Sequence, residues 1–156
     1  RMMYDVDELY QQVVMDHSRH PRNVKTLDNA NRSADGFNPF CGDKVAVYLD
    51  VDEGGLIQDV GIEATGCAIS KAAASLMTEA IKDKSTDEAR KVFDAFRHLL
   101  TSPPSEEINA DLLGDLEFLG GVVRYPVRVK CATLSWHTLI AALEGQGQGG
   151  QRIVAE

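Results

Sequence analysis

The sequence predicts an α+β domain, and three observations support that. Residues 5–19 place apolar side chains at helical spacing, and residues 45–62 contain two runs of alternating apolar and polar residues around an Asp-Glu-Gly-Gly turn. From Cys67 onward the apolar period is again that of a helix. Helices before and after a small antiparallel sheet must cover one of its faces.

The first helix rests on Val6, Leu9, Tyr10, Val13 and Val14, with Asp5 and Glu8 spaced as a capping pair. It ends in a polar stretch from His17 to Asn23, where His17 and His20 read as solvent-facing loop residues. The chain then runs to about Asn38 through a loop rich in Asn, Asp and Gly. Val45, Val47, Leu49 and Val51 alternate with more polar neighbours, and Leu56, Val60 and Ile62 resume the alternation after Gly54-Gly55, which predicts a β-hairpin.

A second helix follows Gly66-Cys67, with Ile69, Ala72, Ala73, Leu76, Ala80 and Ile81 on one face. Ser85 and Glu88 have capping-box spacing and open a third helix, whose stripe is Val92, Phe93, Phe96, Leu99 and Leu100 and whose polar side takes His98. Pro103-Pro104 separates it from a shorter helical segment around Glu106 to Leu119, which Gly120-Gly121 is expected to end. After the break at Tyr125-Pro126, Cys131 opens the last helix, with Ala132, Trp136, Leu139, Ile140 and Leu143 inward.

The chain has 156 residues, which suits one domain over residues 1–144, and the Gly/Gln-rich residues 145–156 are expected to form a flexible tail. A net charge of −8 argues against nucleic acid or an anionic membrane surface as partner. No apolar run approaches the roughly 18 residues of a membrane span, and no signal-peptide core is evident, so a cytoplasmic location is expected. Three cysteines cannot form a complete disulfide framework within one chain. They read either as buried small hydrophobes or as thiols with a task.

Their positions favour a task, because each cysteine falls where one element hands over to the next rather than inside an apolar stripe. Cys41 lies in Asn38-Pro39-Phe40-Cys41-Gly42-Asp43, Cys67 between the second hairpin strand and a helix, and Cys131 at the start of the last helix. Helix amino termini favour the thiolate form, and Arg124, Arg128 and Lys130, with no acidic residue from Gly120 to His137, are expected to increase thiolate character at Cys131. Asp43 follows Cys41 by two residues, so on an extended strand both side chains face the same side. Three sulfurs and a carboxylate make a donor set that suits tetrahedral zinc, and sulfur-rich donors also suit iron–sulfur clusters. The spacing alone does not choose between them. A thiol hydrolase or peroxidase needs a base beside its nucleophile, and His137, six residues past Cys131, is about 120° away around the helix.

Asn-Pro-Phe-Cys-Gly-Asp at 38–43, Gly-Cys-Ala-Ile-Ser at 66–70 and Arg-Val-Lys-Cys-Ala-Thr-Leu-Ser-Trp at 128–136 resemble the IscU/NifU amino-terminal family of iron–sulfur cluster assembly proteins, and most closely its SufU branch. The resemblance runs from about Tyr4 to Glu144. It implies a three-stranded antiparallel sheet packed against about five helices, the SufE/NifU-like arrangement, with a further strand from residues 33–38. It also implies that Cys41, Asp43, Cys67 and Cys131 are metal ligands, with Arg128 a basic residue close by. Scaffold members carry a histidine immediately before the last cysteine, where this chain has Lys130, and lack the extension around Pro103 to Leu119. Both departures resemble the SufU branch.

That branch implies a zinc protein that accepts sulfur from a SufS-type cysteine desulfurase, with downstream scaffold or carrier proteins as further partners. The alternative is a scaffold holding iron or a [2Fe–2S] cluster on the same residues. Zinc has no redox chemistry and keeps thiolates deprotonated, but a fully ligated ion is closed, so an accepting cysteine has to leave it. Cys41 is expected to be that cysteine and the acceptor, because its loop is flanked by Pro and Gly, whereas Cys67 and Cys131 are tethered to packed helices.

Overall fold

The computed structural model describes residues 6–101, 110–145 and 151–154. Helix α1 (Val6–Arg19) precedes an antiparallel sheet of β1 (Arg32–Asn38), β2 (Asp43–Val51) and β3 (Ile57–Thr65). Helices α2 (Ala68–Ile81), α3 (Thr86–Thr101), α4 (Ala110–Leu113) and α5 (Val129–Glu144) follow. Among the described residues there are thus five α-helices and three antiparallel strands, as the sequence and its resemblance predict. Residues 151–154, within the segment expected to be a flexible tail, form β4 (Gln151–Val154), parallel to β1 at the sheet edge, and the strand order is β3-β2-β1-β4. Asp5 of the proposed first capping pair lies outside the described residues.

The alternation in β2 sets the sheet's two faces. Val45, Val47, Leu49 and Val51 are buried under the helices, and Lys44, Ala46, Tyr48 and Asp50 point the other way. Helix α5 packs on β1 and β2, α2 packs on β3, and α1 lies against α2. The aromatic stripes meet in the core: the Phe93 ring stacks on Trp136 at 5.6 Å, and Phe96 packs against the same indole at 5.9 Å. The third helix opens with the capping box read from the sequence. The Glu88 carboxylate accepts the Ser85 N–H at 2.9 Å, and the Ser85 hydroxyl accepts the Glu88 N–H at 3.1 Å.

Two readings are corrected. Gly120-Gly121 does not stop the fourth helical segment, which continues beyond α4 as a 3-10 helix over Gly114–Arg124. A Cβ on Gly121 would stand 2.8 Å from the Tyr10 ring, and one on Gly120 would stand 3.2 Å from Leu99, so these glycines admit close packing of α1 and α3 rather than a break. His17 is not a loop residue facing solvent. It lies in α1, is 3% exposed, and its Nδ1 is 2.7 Å from the Ser75 hydroxyl of α2. Ser75 Oγ also accepts the Arg22 N–H at 2.9 Å, so one hydroxyl of α2 holds both His17 and the turn that follows α1. His20 and His98 are exposed.

Candidate metal centre

The three cysteine junctions meet at one end of the sheet because of strand register. Asn38 pairs with Asp43 as the last rung between β1 and β2, and Lys44 pairs with Thr65 at the end of β3. The β1–β2 turn, the β3–α2 junction and the Asp43 side chain are therefore neighbours. Helix α5, laid across β1 and β2, brings Cys131 in its first turn to the same place.

Cys41 sits in a four-residue turn closed by the Gly42 N–H donating to the Asn38 carbonyl at 2.8 Å, and Gly42 takes φ +74°. The sequence argument for Cys41 and Asp43 assumed an extended strand. The structure brings the pair together through a tight turn, since Asp43 is the first residue of β2. The Cys131 and Cys41 sulfurs lie 3.3 Å apart. The ligating atoms of Cys41, Asp43 and Cys131 all lie within 4.8 Å of one another, with Asp43 and Cys131 fully buried and Cys41 half-buried. In a tetrahedral zinc site with bonds of about 2.3 Å, ligand atoms stand about 3.8 Å apart, so this group needs only small adjustments to close on one ion.

Cys67 stands beside the trio rather than within it. As the N-cap of α2, its sulfur accepts the Ser70 N–H at 3.4 Å, and its own N–H donates to Asp43 Oδ1 at 2.8 Å. It is nonetheless close enough to act on Cys131. Burial first, then contacts with Asp43, Cys41 and Cys67, push the Cys131 thiol far above its ordinary pKa. This reverses the expected gain in thiolate character at Cys131, because desolvation and crowded acidic neighbours outweigh the helix terminus and the three bases. Without a cation the cluster keeps a proton on sulfur. A divalent ion held there would supply positive charge that favours the thiolate, and clustered sulfurs with one carboxylate are a donor set that fits zinc.

Arg128, which the resemblance places near the ligands, has its Nη1 3.5 Å from the Cys41 sulfur as donor, and hydrogen bonding to Cys131 helps hold the guanidinium charged. Lys130 is exposed on the rim, lining a shallow cavity of about 300 Å³ with Phe40, Pro126 and Val127. His137 packs edge-on against Phe93 at 5.3 Å, which places it in the aromatic cluster rather than beside a thiol.

Sequence reasoning missed Asn38, which is fully buried at the centre of the site. Its Nδ2 is 3.3 Å from Asp43 Oδ2 and 3.6 Å from the Cys131 sulfur, and its Oδ1 accepts the Phe40 N–H at 3.2 Å. An asparagine before proline in a turn has an ordinary local explanation, so no signal in the sequence alone marked it. Tyr10 was read only as a core residue. Its phenol is pushed up to about 12 by burial and then by Tyr125, with Cys67 and Cys131 also contributing, so it stays protonated beside the site.

Comparison with known proteins gives a consistent picture. The profile of the NifU-like N terminal domain matches residues 9–132. The zinc-dependent sulfurtransferase SufU of Bacillus subtilis (strain 168) is 42% identical over 135 residues, covering 86% of this chain and 89% of that protein. The iron–sulfur cluster assembly scaffold protein IscU of Streptococcus pyogenes serotype M1 is 36% identical over 142 residues, covering 89% and 85% respectively. The crystal structure of FiSufU, a SUF-system protein of Fervidobacterium islandicum AW-1, superposes with a TM-score of 0.79 at 34% identity, over 87% of this chain and 97% of that one.

Proposed function

Because the chain belongs to the NifU-like N-terminal domain family, we propose that it serves iron–sulfur cluster biogenesis as a zinc-holding acceptor of persulfide sulfur from a SufS-type cysteine desulfurase. The observation that carries this reading is the meeting of Cys41, Asp43 and Cys131 within 4.8 Å, with Cys41 on a turn that reaches solvent beside a 72% exposed Phe40. The zinc dependence of the 42% identical SufU supports the choice of ion. Cys67, bonded through its N–H to Asp43, is the fourth ligand in this proposal. Bound zinc would supply positive charge that keeps the thiols deprotonated and adds no redox chemistry.

Cys41 is the acceptor. Cys131 is fully buried, and Cys67 is fixed by the helix it caps, whereas the turn bearing Cys41 can move without opening the core. The Cys41 thiolate attacks the outer sulfur of the desulfurase persulfide. A new S–S bond forms on Cys41, the S–S bond on the desulfurase breaks, and the desulfurase cysteine departs as a thiolate, so no external oxidant or reductant is consumed. Arg128, on the Cys41 sulfur, holds that thiolate's charge in the attacking position. Free thiols acting in this way suit a cytoplasmic location, and among the described residues no helix is long and apolar enough to cross a membrane.

The test mixes zinc-loaded protein with a SufS-type desulfurase and cysteine and follows persulfide on this chain by mass spectrometry. Sulfur uptake is expected in the parent and lost in Cys41→Ser. Uptake by that variant equal to the parent's refutes the assignment. The second reading, a scaffold for a [2Fe–2S] cluster on the same ligands with delivery to carrier proteins, is supported by the IscU relative. Anaerobic incubation with iron and sulfide favours it if a stable visible chromophore forms on the chain and zinc does not displace it.

A further inference from the structure

We propose that Asn38 is a positioning residue of the metal centre: its side-chain amide holds the Asp43 carboxylate and the Cys131 sulfur in place while its carbonyl shapes the turn that presents Cys41. The inference rests on the zinc site described above, and its argument begins with which way the amide faces. The Phe40 backbone N–H can only donate, and it lies 3.2 Å from Oδ1, so the oxygen faces the turn. The NH2 group therefore faces Asp43 Oδ2 at 3.3 Å and the Cys131 sulfur at 3.6 Å. Both are acceptors, and both belong to the compact metal-binding trio. One fully buried side chain thus reaches two ligands and, through Phe40, the turn of the third.

The remaining contacts of the ligands leave Asn38 a distinct place. Asp43 Oδ1 is already committed to the Cys67 N–H at 2.8 Å, so the amide is what fixes the second carboxylate oxygen. The Arg128 guanidinium lies 3.5 Å from the Cys41 sulfur and also bonds Cys131, whereas the Asn38 amide joins the fully buried Cys131 sulfur to the Asp43 carboxylate. Outer donors of this kind orient ligands, and their loss commonly costs about 10–100-fold in metal affinity. Asn38 closes the last rung of the β1–β2 pair, so its backbone is held by the ladder whatever its side chain does.

Two substitutions separate positioning from turn-making. Asn38→Ala removes both functions, whereas Asn38→Asp keeps the oxygen that accepts the Phe40 N–H and loses the amide donors. Circular dichroism melts first establish which variants fold, and Asn38→Asp, nearly the same volume as the parent, serves if Asn38→Ala does not. Zinc release to a chromogenic chelator and the sulfur-to-cobalt charge-transfer band of the Co(II)-loaded protein are then recorded.

Both variants should release zinc about 10–100-fold faster than the parent. Their charge-transfer band should move to lower energy, because a sulfur that loses an N–H donor gives up an electron more readily. An Asn38→Asp variant that matches the parent in release rate and spectrum overturns the inference, since the turn oxygen then suffices. If the parent holds zinc yet takes no sulfur from the desulfurase, the proposed function fails, while the ratio of release rates still decides the role of Asn38. A parent that holds neither metal ends both.

Discussion

Gly66 and Gly42 flank the same site, and exchanging each for alanine isolates how tightly the Asp43 ligand is boxed in. Gly42 has φ +74°, and a Cβ there meets nothing within 4 Å. Gly42→Ala therefore carries only the left-handed backbone penalty of about 1–2 kcal/mol. Gly66 has φ +126°, and a Cβ there would stand 2.3 Å from Asp43 Oδ1 and 2.7 Å from the Asp43 Cα. The carboxylate could rotate only by abandoning the Cys67 N–H, and the Cα cannot rotate away at all. Gly66→Ala thus combines a backbone penalty of about 1–3 kcal/mol with overpacking of similar size, for a total near ~4 kcal/mol. At about 2–4 °C per kcal/mol for a chain of this length, the melting temperature should fall by about 8–16 °C for Gly66→Ala and by about 2–8 °C for Gly42→Ala. Calorimetry of the metal-free proteins measures both shifts, and chelator competition measures zinc retention, which should drop at least roughly tenfold in Gly66→Ala alone. Equal melting shifts for the two variants, or a Gly66→Ala protein that keeps zinc as the parent does, would refute the boxed-in carboxylate.

Three further outcomes are expected. Ser85→Ala removes one half of the α3 capping box and should cost about 1 kcal/mol, seen as a melting shift of about 2–4 °C with no change in zinc content. Burial first, and then the Arg22 guanidinium, hold the His17 imidazole below its ordinary value of 6.5, against the pull of Glu79, Asp16 and Asp115. The unfolded chain then binds the proton more readily than the folded one, so stability should fall as pH drops below 6.5 and be unaffected by this group above it. His17→Gln should flatten that acid slope in melts across the range, and an unchanged slope would show that another group sets it. Stripping zinc from protein held at 100 times its dissociation constant should remove about 2.7 kcal/mol, or about 5–11 °C, and re-addition of zinc should restore it. A melt indifferent to chelator would mean that no structural ligand set closes on the ion.

The sequence by itself determined whatever depends on neighbours along the chain. The α2 and α3 stripes, the Ser85–Glu88 box and the alternation of β2 were legible because helices and strands repeat with fixed periods and caps act within a few residues. The candidate ligands stood out as junction cysteines and through their family motifs. Only the tertiary structure decided how they meet. Cys41 and Asp43 converge through a turn and not along a strand, and Cys131 joins them because α5 crosses β1 and β2 some 90 residues later. It also decided the environment at each group. Burial raises Cys131 where local charge argued the reverse, α2 covers His17 from 58 residues away, and Gly120-Gly121 looks like a stop although its missing side chains admit Tyr10 and Leu99. Asn38 shows the same division, since its turn is a local matter while its two acceptors are supplied by strand register and a distant helix. Desolvation and close approach are properties of three-dimensional neighbours, and no period in the sequence encodes them.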